Sequence, residues 1–206
     1  MQQDIIHGKQ VFKYQISLYC MQEDVIETTV GKTKSKILVQ TFNDKDKSTL
    51  KELYGLWIQL NHGMKLCKAR AVNLPEGISE SAFCMHFGGN YARALKVFKG
   101  SGSFDVINLD NGERIQIKAC SVDGDLTSFG PKSVWDKIYF LDFYREGKED
   151  GSFDVYLIPN KKIYLHKTNK NQTMQDQQKE KRRPRFSIKE SIIKSYNIKP
   201  VKTCQI

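Results

Sequence analysis

The sequence predicts an α+β fold: a mixed central β-sheet flanked by helices, with a basic C-terminal appendage. Three observations carry this. Helical spacing of apolar residues falls before Gly88-Gly89. Strand alternation and turn residues fill the centre, from Phe104 to Pro159. Beyond Pro159 the composition turns polar and cationic.

At 206 residues the chain can bury one sizeable core, and a single domain over residues 1–206 is expected. Composition divides it into an N-terminal segment of unclear role (1–43), a core (44–160) and a basic segment (161–206). Residues 1–43 mix apolar and polar residues, with one strand-like run at Lys36-Ile-Leu-Val-Gln-Thr-Phe. Asn43-Asp-Lys-Asp-Lys is a polar break. Thr49-x-x-Glu52 reads as a capping box opening a helix that runs to Lys68. Leu50, Leu53, Trp57, Leu60, Met64 and Cys67 then form one apolar face. Asn73-Leu-Pro-Glu-Gly breaks the chain, and Ile78–Phe87 forms a second helix ended by Gly88-Gly89. Phe104–Leu109 and Arg114–Cys120 pair as a hairpin across Asp110-Asn-Gly. Lys137–Tyr144 and Ser152–Pro159 are further strands, separated by the charged turn Arg145–Gly151. Ile188–Ile193 reads as a short helix, and there is no internal repeat.

The chain carries 33 Lys plus Arg against 23 Asp plus Glu. Residues 1–160 hold 20 basic and 20 acidic residues, and residues 161–206 hold 13 and 3. The whole excess therefore lies in the last segment, where its field favours a polyanion, most simply nucleic acid. A solvated tail kept for solubility has the same charge. The five cysteines (Cys20, Cys67, Cys84, Cys120, Cys204) are odd in number and widely spread, and none forms a CxxC pair. Free thiols in a reducing cytosol are expected. Met1-Gln-Gln-Asp lacks an apolar leader core, and no apolar run is long enough to span a bilayer. A cytoplasmic protein without a membrane partner is the expectation, and the Asn171-Gln-Thr sequon carries no meaning there.

The chemistry concentrates in the hairpin. Ten residues separate Asp105 from Gln116-x-Lys118. Strand alternation puts Ile115, Ile117 and Ala119 on one face and Gln116 and Lys118 on the other. Asp105, on the partner strand, reaches the same end if the register allows. One carboxylate, one amide and one amine form the inventory of a metal-dependent phosphodiesterase. Asp105 is a hard oxygen ligand for Mg²⁺, with the Ile117 carbonyl and the Gln116 amide oxygen completing the set. Lys118 orients or deprotonates the attacking water, or stabilises the phosphorane-like transition state. An ordinary surface hairpin with polar residues facing water uses the same residue types.

These residues resemble the PD-(D/E)XK nuclease superfamily, in which an Asp and a (Glu or Gln)-x-Lys unit lie on adjacent strands. Asn73-Leu-Pro-Glu-Gly-Ile-Ser-Glu, Asp125-Leu-Thr-Ser-Phe-Gly-Pro and Arg182-Arg-Pro-Arg-Phe-Ser narrow the likeness to small type II restriction endonucleases, of the group cutting GCNGC. The likeness spans Leu50 to Ile188. It implies a restriction-endonuclease-like fold, with Asp105 as metal ligand and Lys118 as catalytic lysine. Gln116 stands where the acidic ligand is most frequent, and Gln is a variant within the superfamily. A helix Glu often adds a carboxylate: Glu80 is the first candidate and Glu76 the second. The neutral amide at 116 makes that Glu more important for holding a cation.

Two segments suit DNA. In Asp125-Leu-Thr-Ser-Phe-Gly-Pro-Lys, the Thr127 and Ser128 hydroxyls, the Gly130 backbone and Lys132 can meet phosphates or a groove. In Asn169–Phe186, Arg182, Arg183 and Arg185 can read guanine, Gln177 adenine, and Asp176 cytosine. Several other signals carry nothing. Gly31-Lys-Thr resembles the end of a phosphate loop, but Ile26 replaces the required Gly. His62, His86 and His166 lack ligand-spaced partners, and Cys84-Met-His86 has no second pair for zinc.

The expected protein is a Mg²⁺-dependent type II restriction endonuclease acting on double-stranded DNA at a short palindrome. It is expected to be a homodimer and to work beside a DNA methyltransferase that is not a stable subunit. The alternatives are a structure-selective repair or junction nuclease of the same superfamily, and a non-catalytic DNA-binding protein.

Overall fold

The computed structural model describes residues 21–30, 33–99, 103–124 and 126–206. Cys20, Gly31, Lys32, Asp125 and the first part of segment 1–43 lie outside the described residues. One eight-stranded sheet organises the chain. Its strands are β1 (Gln22–Val30), β2 (Thr33–Thr41), β3 (Tyr91–Lys99), β4 (Val106–Asn108), β5 (Arg114–Cys120), β7 (Lys137–Asp142), β8 (Ser152–Ile158) and β10 (Lys202–Gln205), in that spatial order. Every adjacent pair is antiparallel except β5 and β7. Parallel neighbours need a crossover. Here residues 121–136 provide it, and they carry β6 (Thr127–Ser128).

Helices α1 (Asp46–Leu66) and α2 (Glu76–His86) cover one face of the central sheet. Leu50, Tyr54, Trp57, Ile78 and Phe83 pack there on Ile115, Ile117, Tyr139 and Leu141. The opposite face is covered by the basic C-terminal stretch. Its α3 (Asn160–Tyr164), α4 (Met174–Lys179), β9 (Arg185–Phe186) and a π-helical turn at Lys189–Lys194 bring Ile163, Met174, Phe186, Ile188, Ile192 and Ile193 onto Ile138 and Phe140. The appendage is thus docked: its apolar residues close a second core while most of its charges stay outside.

Four expectations change. First, α1 starts at Asp46 rather than at a Thr49 capping box. The Asp46 carboxylate accepts the Asn43 N–H at 2.8 Å and is 2% exposed, so it anchors the first turn. Second, the buried stripe of α1 is Leu50, Tyr54, Trp57 and Asn61, and Leu60 is 51% exposed. Trp57 Nε1 and Asn61 Nδ2 both donate to the Val72 carbonyl, at 2.9 and 3.2 Å, which selects this stripe. Third, the 188–193 helix is the π-helical turn. Fourth, the Gln116 face of β5 is covered as well as the Ile115 face, because Gln116 pairs with Ile138 on the face where the basic stretch docks. Gln116 is 2% exposed.

The hairpin turn is as read. Asn108 N–H donates to the Glu113 carbonyl at 3.0 Å, and Gly112 holds φ +72°. A Cβ at Gly112 would lie 2.9 Å from the Thr29 carbonyl, so the turn tip presses on β1. Gly112→Ala should therefore destabilise the fold by about 1–3 kcal/mol, because it strains the left-handed residue and clashes with β1 backbone. Urea unfolding measures this, and an unchanged midpoint would contradict it.

Candidate active site

Asp105 sits where the sheet changes partners. Its N–H donates to the Ile115 carbonyl at 3.0 Å, and its carbonyl accepts the Ala94 N–H at 2.8 Å. The β4–β5 ladder includes Val106↔Ile115 and Ile107↔Arg114. Past Ile115, the Ile117 N–H is taken by the Asp105 carboxylate, Oδ2, at 2.8 Å. Upstream, Ser103 has left β5 and pairs with Ser133. A side chain thus replaces backbone pairing, and a cleft opens between α2 and the crossover.

Glu76, Ser79, Glu80, Asp105, Lys118 and Thr127 line that cleft, with Ile117, Ser128 and the Asn73-Leu74 loop. The loop is fixed by Leu74 N–H donating to Ser121 Oγ at 3.3 Å. Asp105, Lys118 and both helix glutamates therefore meet in one place. Gln116 lies behind them. Its Nε2 donates to Asp105 Oδ2, and its Oε1 is buried without a partner.

Burial pushes the Asp105 carboxyl up to about 6, against the pull of the Lys118 ammonium and the Ile117 N–H. Burial pushes Glu80 further, to about 7, and the Asp105 charge adds to it. Arg93 Nε, donating to Glu80 Oε2 at 2.5 Å, opposes that rise. Arg93 was not foreseen. Its only signal is a cation at a half-buried strand position in Tyr91-Ala-Arg-Ala-Leu-Lys.

Among the described residues, no three His, Cys, Asp or Glu side chains gather closely enough to hold an ion alone. The Asp105 and Glu80 carboxylates nevertheless suit a small hard cation, which takes oxygen donors, while Gln116 Oε1 lies outside the cleft lining. Of the described cysteines, Cys67, Cys84 and Cys204 carry free thiols, and Cys120 Sγ donates to Asp142 Oδ1 at 3.2 Å.

The two DNA-suited segments, far apart in sequence, form one ribbon. β6 pairs antiparallel with β9, placing Thr127 opposite Phe186 and Ser128 opposite Arg185. Phe129 N–H donates to the Pro184 carbonyl at 3.0 Å, and Gln178 Nε2 donates to the Gly130 and Ser133 carbonyls, each at 3.1 Å. The Thr127 and Ser128 hydroxyls are buried beside the cleft without partners. Arg183, Arg185 and Lys132 are exposed, and Arg182 pairs with Glu180 at 3.2 Å. Gln177 is partly buried in α4. Asp176 closes a capping box: its Oδ2 accepts from Thr173 N and Oγ1, at 2.9 and 2.6 Å. Those bonds hold its carboxyl below the usual carboxylate range.

The family model described as Bsp6I restriction endonuclease matches residues 42–195. A curated relative, the type II restriction enzyme Bsp6I of Bacillus sp. (strain RFL6), is 35% identical over 162 residues, which covers 76% of this chain and 87% of the relative. No solved structure matches the chain significantly. No helix among the described residues is long and apolar enough to cross a membrane.

The raised carboxyls give a pH prediction. Asp105 and Glu80 hold protons to about 6 and about 7 in the folded chain, against ordinary values of 3.8 and 4.5. Between these limits the folded state binds more protons than the unfolded state, so stability falls as pH rises. Urea midpoints should drop from pH 5 to pH 8. In the Glu80→Gln, Asp105→Asn double variant that drop should shrink. An equal drop in the double variant would contradict the assignment.

Proposed function

Because the chain belongs to the Bsp6I restriction endonuclease family, and is thus a type II site-specific deoxyribonuclease, we propose that it cuts double-stranded DNA at the palindrome GCNGC in a Mg²⁺-dependent reaction. One observation carries the site assignment: Glu80, Asp105 and Lys118, from three separate elements, line a single cleft with an unpartnered amide oxygen behind it.

Asp105, Glu80 and the amide oxygen of Gln116, with the Ile117 carbonyl, would hold the ion. Bound Mg²⁺ supplies Lewis-acid polarisation of the scissile phosphate and acidifies water. For its oxygen to reach the ion, the Gln116 amide would turn over, since its NH₂ group donates to the Asp105 carboxylate. Lys118 projects its ammonium into the cleft. There it orients the attacking water and stabilises the negative charge that gathers on the phosphate oxygens as the new P–O bond forms and the opposite P–O bond breaks.

The β6–β9 ribbon is the DNA side of the cleft. Thr127, Ser128, Lys132 and the Gly130 backbone suit phosphate contacts, which fix register. Arg183 and Arg185, exposed on the same ribbon, suit bidentate contacts to guanine, with Arg182 able to join them by leaving Glu180. GCNGC fixes no adenine, so Gln177, partly buried in α4, has no base to read in this scheme. Asp176 is engaged by Thr173, so reading cytosine requires that cap to open. A palindromic target favours a twofold homodimer with one cleft per strand. A methyltransferase acting separately in the same cytoplasm would protect host sites.

Digestion of a sequenced, unmethylated plasmid with Mg²⁺, followed by sequencing of the ends, tests this directly. Discrete fragments ending within GCNGC are expected. Lys118→Ala should cut at least about 10²–10³-fold more slowly while still binding DNA, and undiminished cutting would sink the assignment. Gln116→Glu should retain cutting with Mg²⁺ but melt lower in chelator, because it adds a buried charge beside Asp105.

The ribbon has its own test. Arg185→Ala should weaken DNA binding, and if the contact is to phosphate it lowers the salt slope by about one. A contact to guanine instead relaxes preference at one position of the site. An Arg185→Ala variant with neither effect excludes the residue from the interface.

A further inference from the structure

The cleft between α2 and β6 holds three carboxylates, Glu76, Glu80 and Asp105, and one cationic side chain, Lys118. A second cation reaches it from β3. Arg93 donates its Nε to Glu80 Oε2 at 2.5 Å. Its guanidinium lies against Gly77, where a Cβ would stand 3.4 Å from both terminal nitrogens. The next residue of the strand, Ala94, donates its N–H to the Asp105 carbonyl at 2.8 Å. Arg93 is thus tied to both carboxylate-bearing elements: by an ion pair to α2, and through the strand ladder to Asp105. Glu80 is 8% exposed, and a carboxylate at that depth needs a partner.

We propose that Arg93 is the built-in counter-ion of the cleft, a positioning residue that holds Glu80 in the ion-free protein and competes with a divalent cation for that carboxylate. This rests on the cleft being a cation site. A guanidinium keeps its charge at every working pH, so it opposes each cation that enters. The planar fork also fixes where the Glu80 oxygen points. In consequence the cleft is stable without an ion and loads one weakly.

The test uses the full chain and Mg²⁺ alone, without DNA. By calorimetric titration at about pH 9, where Glu80 is ionised in parent and variant alike, Arg93→Gln should bind Mg²⁺ about five- to tenfold more tightly than the parent chain, whereas Arg93→Lys, which keeps the charge, should stay within about twofold. In chelator Arg93→Gln should melt lower than the parent, and saturating Mg²⁺ should close the gap. Adding Glu80→Gln to Arg93→Gln should restore the melting temperature in chelator and remove the gain in affinity. Equal or weaker Mg²⁺ binding by Arg93→Gln overturns the inference, as does failure of the second substitution to restore stability. If Arg93→Gln alone does not fold, the double variant carries the test: it must fold, and its failure to do so overturns the proposal. Asp105→Asn separates the two levels. It should abolish Mg²⁺ binding whether residue 93 is Arg or Gln. If it binds like the parent, the cation-site reading fails; if it does not bind while Arg93→Gln is unchanged, only the role of Arg93 fails.

Discussion

The Ile117 N–H, taken by the Asp105 carboxylate at 2.8 Å, decides how the centre of this molecule is built. A β5 amide has to be bonded by something, because a buried, unpaired N–H costs as much as a lost hydrogen bond. Had backbone supplied the acceptor, β4 would have continued past Val106 and closed the sheet. A side chain supplies it instead, the strand upstream departs toward Ser133, and the gap becomes the cleft. One acceptor thus satisfies the sheet and delivers a carboxylate to the place where the sheet opens.

The same placement sets the electrostatics. Asp105 and Glu80 share a confined volume, and the Asp105 charge raises the cost of ionising Glu80. A third acid at 116 would add a buried charge to a pair already held above the usual carboxylate range. Gln116 avoids this. It gives Asp105 a hydrogen bond and adds no charge of its own. Glu80 and Arg93 balance the remaining charge from the helix and strand on either side. The amide at 116 and the cation at 93 are therefore two parts of one solution to keeping acids buried.

Much of this was legible in the sequence, and the residues explain where legibility ended. The hairpin could be read because Asp110-Asn-Gly and period-two alternation are local signals, and Ile115 and Ile117 fell on the expected face. The burial of Gln116 was not legible. It depends on the basic stretch docking over the far face of β5 and β7, a contact between residues far apart in sequence. Strand β3 escaped notice because its inner face includes Ala92 and Ala94, which are weak strand formers. With it went Arg93, whose partner lies thirteen positions earlier on a helix. For α1, Thr49 and Glu52 offered a plausible cap, but the burial of Asp46 against Asn43 won the start. The two DNA-suited segments were each legible by composition. Their pairing through β6 and β9 was not, since two-residue strands carry no periodicity.

The single parallel pair in the sheet links chemistry to the ribbon. Had β7 lain antiparallel to β5, a tight turn would have joined them and nothing would stand over the cleft. Parallel pairing forces the chain back across residues 121–136, and that crossover sets Thr127 and Ser128 as the wall facing α2. Lys118 and Ser128 are only ten positions apart on continuous backbone. Through Ser128 and Arg185 the same wall is hydrogen-bonded to the basic segment. The basic segment is thereby joined by strand pairing to the wall of the cleft that Lys118 lines.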